Sequence, residues 1–142
     1  MTFIQDMSPC EYFGPQYSSI LIAVGWLEGD NEYNTGNIDK NIYGKLKELL
    51  IDPPHMTGLP VTCGLHSCSI CQFEGPQSKD HLLIPWGRRI IISPVMVGHY
   101  ISCHRYSPPL EFIEAVNICP DTRSMDYKKL LLKNNGRILF KT

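Results

Sequence analysis

Two pairs of potential metal ligands most constrain this fold: Cys68-x2-Cys71 and His99-x4-His104, separated by 27 residues. Two thiolates two residues apart in a tight turn can bind one tetrahedral zinc ion, and two histidines complete a Cys2His2 set. The 27-residue separation is longer than in a short zinc finger. A hairpin and a helix must therefore bring the two pairs together. The spacing predicts a small α+β domain around a structural Zn²⁺ site.

The identity of the ligands stays open at this point. Residues five apart on a regular helix lie about 140° around its axis, so His99 and His104 reach one ion only if the helix distorts or ends there. His66, two residues before Cys68, is a reserve ligand that could replace His104. With four or five candidates and no glutamate inside the clusters, the pattern favours a closed structural site over a catalytic one. The alternative is buried thiols and hydrogen-bonded histidines without a metal.

Length and composition point to one domain of short elements. The chain has 142 residues, 43% of them hydrophobic, with eleven glycines and eleven prolines that predict many turns. A formal charge of −1 gives no electrostatic case for bulk binding to nucleic acid or membranes. The N-terminus lacks a basic targeting segment, and six cysteines without a signal peptide favour a reducing compartment. We therefore expect a cytoplasmic protein.

Hydrophobic periodicity and turn residues predict the order of the elements. We expect a strand at 18–27, a helix at 39–51, a hairpin at 81–92 with its turn at 85–88, and helices at 94–105, 110–118 and 124–133, followed by a possible strand at 137–140. These elements give an α+β domain at 1–119 with three to four helices. Residues 120–142 are a basic extension, which either belongs to the same domain or is appended to it.

Charge is unevenly distributed along the chain. Residues 120–142 carry six basic and two acidic side chains, whereas 1–119 carry seven basic and twelve acidic ones. Four of these acids lie in one polar stretch, which we call the acidic segment (residues 28–39): Glu28, Asp30, Glu32 and Asp39. The segment is either a solvated loop or a docking surface for a basic partner, where charge would set the association rate and the specificity.

Signatures of known enzyme classes are absent or incomplete. The stretch from Asp80-His81 to Pro85 is superficially similar to an element of HNH nucleases, but residues 82–103 contain no asparagine and the chain has no second CxxC. A zinc deaminase would need a glutamate two residues after its histidine, and Cys68 stands there instead. Nucleotide-binding loops and nucleophile elbows are also missing from the sequence. We therefore predict that the protein is not an enzyme and that His81 begins a hairpin.

The motifs together resemble a family of short, functionally uncharacterised bacterial proteins. The resemblance covers about 18–118 and rests on four stretches, Gly25-Trp26-Leu27, Thr35-Gly36, 64–71 and 99–112. The last two read Gly-Leu-His-Ser-Cys-Ser-Ile-Cys and His-Tyr-Ile-Ser-Cys-His-Arg-Tyr-Ser-Pro-Pro-Leu-Glu-Phe. The resemblance implies that His66, Cys68, Cys71, His99 and His104 belong to one site. It implies no activity.

These observations predict a non-enzymatic, zinc-stabilised protein-interaction module. By analogy with other small single-domain bacterial proteins, an immunity or antitoxin role that inhibits a toxin or effector is the specific prediction. One alternative is zinc-dependent nucleic-acid binding, with Arg88, Arg89, Arg105 and the basic extension on phosphates. Another is a metal-dependent hydrolase or HNH-like nuclease that uses His81.

Overall fold

A computed structural model describes residues 3–60, 66–71 and 75–140. The strands are β1 (Leu21–Ala23), β2 (His66–Ser67), β3 (Gln77–Ser78), β4 (His81–Trp86) and β5 (Arg89–Pro94). The α-helices are α1 (Lys40–Leu50), α2 (Val97–His104), α3 (Leu110–Ile118) and α4 (Met125–Lys133), and there are short 3₁₀ helices at Pro15–Tyr17 and Gly136–Phe140. Four consecutive short strands are followed by three helices, so the predicted α+β class with three to four helices is confirmed.

The core is organised around β5, the middle strand of a three-stranded sheet in the order β1-β5-β4. β5 runs parallel to β1 and antiparallel to β4. Its three consecutive isoleucines, Ile90, Ile91 and Ile92, are fully buried. Such a continuous β-branched run is what a strand covered on both faces requires. The second sheet contains β2 and β3, and β2 ends immediately before the CxxC motif begins at Cys68.

Helices and both ends of the chain enclose this sheet. α3 and α4 contact β4, and α1 contacts α2 and α3. The N-terminal segment follows β1 in antiparallel fashion, through bonds such as Met7 N to Ala23 O at 2.7 Å. In the basic extension, Leu131 and Leu139 are fully buried in the same core. Within the described residues, no helix combines the length and the apolarity that crossing a bilayer requires.

Most predicted elements form where local signals were strong. α1 begins where it was predicted, because the Asp39 carboxylate caps it and accepts hydrogen bonds from the amides of Asn41 and Ile42 at 2.8 and 3.3 Å. The predicted hairpin also forms, but its turn is at 87–88 and not at 85–88, because β4 and β5 pair as far as Trp86 and Arg89. Helices α3 and α4 form where they were predicted, to within one residue. The predicted strand at 18–27 is confirmed only over its centre, at β1.

The start of one predicted helix and the type of one predicted element are wrong. Pro94 does not begin a helix: it ends β5 opposite His81, and the ladder continues through Val95 N to Asp80 O before α2 starts at Val97. The segment at 137–140 is a 3₁₀ helix and not a strand, because Leu139 turns into the core and its carbonyl accepts a bond from Gly58 N at 2.8 Å.

Candidate metal centre

The CxxC turn (residues 68–71) follows β2 and directs both thiols inward. The Cys68 amide donates to the Pro76 carbonyl at 3.3 Å, which closes the chain around the turn. Gly75 lies so close that a Cβ there would be 2.9 Å from Cys71 Sγ. Burial raises the pKa of the Cys71 thiol, and hydrogen bonding to Cys68 raises it further. A bound cation would oppose this shift, because it favours the thiolate form of a cysteine ligand.

The histidine pair lies on α2, with His99 in its first turn and His104 as its last residue. The helix ends at His104, because Arg105 adopts a left-handed conformation with φ +54° and its amide bonds back to Tyr100 O. The Nε2 atoms of His99 and His104 are 3.2 Å apart. The two histidines therefore reach one point on a helix that ends at the second of them, which is one of the two conditions that the sequence set.

The four side chains meet at one point. The ligand atoms of Cys68, Cys71, His99 and His104 all lie within 4.8 Å of one another. Cys71 Sγ is 3.2 Å from His99 Nε2 and 3.3 Å from His104 Nε2. Zinc at its usual bond lengths would hold two nitrogens about 3.3 Å apart and a sulfur and a nitrogen about 3.6 Å apart. These measured distances lie within a few tenths of an ångström of the zinc values, so the cluster is of a suitable size to hold a metal ion.

The acidic segment fastens the CxxC turn from outside. Gly29 N donates to Ser69 Oγ at 2.8 Å, and the Ser69 hydrogen bond to Glu28 lowers the pKa of that carboxyl. A Cβ on Gly29 would lie 2.6 Å from the Ser69 carbonyl oxygen, so the two backbones approach closely. Glu28 thus contributes to the position of the CxxC turn.

The same segment also contacts the end of α2. The Tyr33 hydroxyl donates to the His104 carbonyl at 3.1 Å. Further along, Ser107 N donates to Asn34 O at 2.9 Å and Gly36 N donates to Arg105 O at 3.0 Å. One continuous segment therefore joins the two halves of the cluster, which are far apart in sequence. Nothing in the composition of the segment indicated this role.

The four acids of this segment have different surroundings. Asp39 caps α1, and Glu28 is engaged with Ser69. Asp30 and Glu32 are exposed. Partner binding by any of the four stays a prediction.

His66 lies outside the cluster, although it was the reserve ligand. Its Nε2 is 2.9 Å from His81 Nε2, a hydrogen bond between two imidazoles. His66 is 2% exposed, and Trp26 stacks on the His81 ring with 5.4 Å between centroids. Burial lowers the pKa of both rings, that of His81 to about 4. The sequence analysis placed His81 at the start of a hairpin, or in the nuclease alternative, and did not predict this pair. Cys63 lies outside the described residues.

Residues 2–117 match a family described as Domain of unknown function (DUF7919). The chain belongs to this family. The prediction of a family without an assigned activity is confirmed, whereas its bacterial origin and its shared motif pattern stay predictions. No curated protein and no solved structure matches the chain.

Proposed function

We propose that this protein is a non-enzymatic interaction module whose structure is stabilised by one Zn²⁺ ion on Cys68, Cys71, His99 and His104. The single observation that carries the proposal is the convergence of two thiols and two imidazoles from distant parts of the chain. Thiolate and imidazole together are a donor set that suits zinc, and four protein ligands close its tetrahedral coordination. A closed site stabilises the fold and leaves no position for a substrate.

Metal content tests the zinc proposal directly. The full chain is produced in zinc-supplemented medium, and metal is counted by elemental analysis and native mass spectrometry. We expect one zinc per chain in the unmodified protein and none in Cys71→Ser. The matched control is Cys103→Ser, since Cys103 is an exposed thiol beside His104 but outside the cluster. Equal zinc content in both variants, or a different metal in the unmodified protein, would contradict the proposal.

We further propose that the module binds another protein through the exposed part of the acidic segment. The support is that Asp30 and Glu32 are exposed on a segment tied to both halves of the metal cluster. A rigid acidic surface would attract a basic partner and favour one orientation of docking. The immunity or antitoxin role is the specific form of this proposal and rests on the analogy of class alone.

Native mass spectrometry of the untagged protein from its own cells tests partner binding. The expected result is a complex with one basic protein at fixed stoichiometry. Asp30→Lys with Glu32→Lys should abolish this complex and keep the zinc. The control is Asp126→Lys, which reverses an exposed acid on α4. A chain that carries no partner and turns over a substrate would refute the interaction module. A partner that is a toxin inhibited by this chain would establish the immunity role.

A further inference from the structure

A cavity of about 330 Å³ opens beside His81, away from the metal cluster. Its size lies at the lower end of the range for small-molecule sites. Among the described residues, six apolar ones line it: Phe13, Pro53, Pro54, Met56, Leu59 and Leu83. Four titratable residues line it as well: His55, Lys79, Asp80 and His81. An apolar wall with a few polar groups is the usual composition of a ligand site.

The wall of the cavity is held in place by bonds from both ends of the chain. The Tyr17 hydroxyl donates to the Gly58 carbonyl, and Gly58 N donates to Leu139 O at 2.8 Å. A Cβ on Gly58 would lie 1.9 Å from Ile138 O, so this loop is pressed against the C-terminal 3₁₀ helix. The loop that carries Met56 is therefore fixed before any ligand arrives. A preformed site lowers the entropic cost of binding.

His81 is the most constrained polar group of the cavity. One face of its ring stacks on Trp26, and Phe13 meets the ring edge-on at 5.1 Å between centroids. Its Nε2 is bonded to His66. Because burial keeps its pKa near 4, the imidazole is neutral at pH 7. A neutral imidazole with Nε2 engaged has Nδ1 left for a further hydrogen bond.

The charges of the lining restrict the class of ligand. Lys79 and Asp80 are neighbouring side chains of opposite sign, and His81 is neutral. A phosphate or a carboxylate in the cavity would be attracted by Lys79 and repelled by Asp80. These two charges therefore give no net attraction for anions. Backbone bonds hold Asp80 in place: its amide donates to Ser78 Oγ at 3.1 Å and its carbonyl accepts from Val95 N at 3.0 Å. Its carboxylate can accept from a ring N–H or an amino group.

We propose that this cavity binds a small, uncharged nitrogen heterocycle of about the size of a nucleobase. The planar ring lies against the apolar wall, while its donors and acceptors meet the carboxylate of Asp80 and the free edge of His81. This site is separate from the metal cluster, and the proposal does not depend on zinc or on partner binding.

Ligand titrations of the zinc-loaded full chain test the proposal. Amide shifts in ¹H–¹⁵N spectra are followed while adenine or cytosine is added, with benzoate and adenosine monophosphate as controls. We expect adenine or cytosine to shift the signals of Met56, Leu59 and Leu83 with saturation at millimolar concentration. Benzoate, an aromatic anion without ring nitrogen, should shift them at least tenfold less. Adenosine monophosphate should bind no more tightly than adenine.

Two variants locate the binding. Leu59→Trp fills the cavity and should weaken binding at least tenfold, whereas Leu110→Trp, at a 64% exposed position on α3, should leave it unchanged. Asp80→Asn changes an exposed side chain and should weaken binding several-fold without unfolding the chain. If Leu59→Trp fails to fold, as its spectrum and zinc content would show, Asp80→Asn alone decides.

Three results would overturn the proposal. The first is no saturable shift with either heterocycle. The second is equal binding of benzoate, which would show an apolar cavity without selectivity. The third is tighter binding of adenosine monophosphate than of adenine, which would show an anion site. None of these results depends on the outcome for zinc or for a protein partner.

Discussion

Two pairs of histidines in this protein have nearly the same geometry and very different surroundings. The rings of His99 and His104 are 4.9 Å apart with an interplanar angle of 80°. Those of His66 and His81 are also 4.9 Å apart, with an angle of 79°. The first pair lies beside two thiols, whereas the second lies among the rings of Trp26, Phe13 and Tyr12.

The difference shows that neighbouring donors decide what an imidazole pair can do. With Cys68 and Cys71 added, His99 and His104 form a four-donor set at distances a zinc ion could satisfy. The other pair has aromatic faces around it. Its Nε2 atoms, 2.9 Å apart, fit a shared proton between two neutral rings. The four predictions below test this contrast, beginning with the largest expected effect.

The largest effect is expected when one histidine of each pair is replaced by phenylalanine. His99→Phe removes a ligand from the metal cluster, so the chain should lose its stoichiometric zinc. His81→Phe should keep one zinc per chain, because His81 lies outside the cluster. Elemental analysis of the two purified variants measures both. Loss of zinc in the folded His81→Phe variant would show that the two pairs act as one site.

The next effect is a loss of stability at the aromatic pair. His81→Phe keeps a ring against Trp26 but leaves His66 Nε2 buried without its partner, which should cost about 2 kcal/mol of unfolding free energy. Replacing both histidines by phenylalanine removes the unsatisfied group, and that double variant should recover much of the loss. Urea unfolding of His66→Phe, His81→Phe and the double variant at pH 7.5 gives the interaction free energy between the two rings. Strictly additive losses would mean that the 2.9 Å contact contributes nothing.

Elements with local signals were predictable from the sequence. The Asp39 cap and the two prolines after residue 52 bound α1, and two apolar runs around a short turn bound the hairpin. The spacing of the CxxC and His-x4-His pairs also predicted a four-donor cluster. The choice between His66 and His104 could not be predicted, since it depends on whether α2 ends at residue 104, where Arg105 turns left-handed.

The long-range contacts could not be predicted, because no local sequence pattern indicates them. The His66–His81 bond joins residues 15 apart, and it exists because β2 and the start of β4 approach each other in space. The contacts of Tyr33 with His104 and of Gly29 with Ser69 span 71 and 40 residues. From sequence alone, the acidic segment is interpreted as a solvated loop. No local pattern shows that its backbone contacts both the CxxC turn and the end of α2.

Acid should affect the two histidine pairs differently, because protonation of His81 lowers the free energy of unfolding. Its folded pKa of about 4 lies below the ordinary value of 6.5, so the unfolded chain binds a proton first as the pH falls. The contribution of His81 to stability is complete above pH 6.5 and is lost as the pH falls towards 4, by about 1 kcal/mol per pH unit. Acid also protonates the thiols and releases zinc, which affects every variant alike.

The comparison that isolates His81 is therefore between the unmodified chain and His81→Phe. Unfolding free energies are measured from pH 7.5 down to 4.5 in both proteins. We expect a shallower decline in His81→Phe over this window. If the unfolding free energies of the two proteins decline in parallel with pH, the loss of stability in acid comes from the metal cluster and not from His81.

The smallest expected effect concerns the acidic segment, which contacts the CxxC turn and the end of α2. A methyl group at Gly29 would lie 2.6 Å from the Ser69 carbonyl and force the segment away from the CxxC turn. Gly29→Ala should therefore lower stability by about 1 kcal/mol and speed zinc transfer to a chelator severalfold. Gly44→Ala is the matched control, because its added methyl group meets nothing within 4 Å and it lies inside α1, where alanine is favoured by about 0.5–1 kcal/mol. Chelator kinetics and thermal unfolding of the two variants measure the contrast.

If Gly29→Ala releases zinc as slowly as Gly44→Ala does, the contacts of the segment with the CxxC turn do not support the metal site. A faster release with an unchanged His81 acid response would show that the segment supports one histidine pair and leaves the other unaffected.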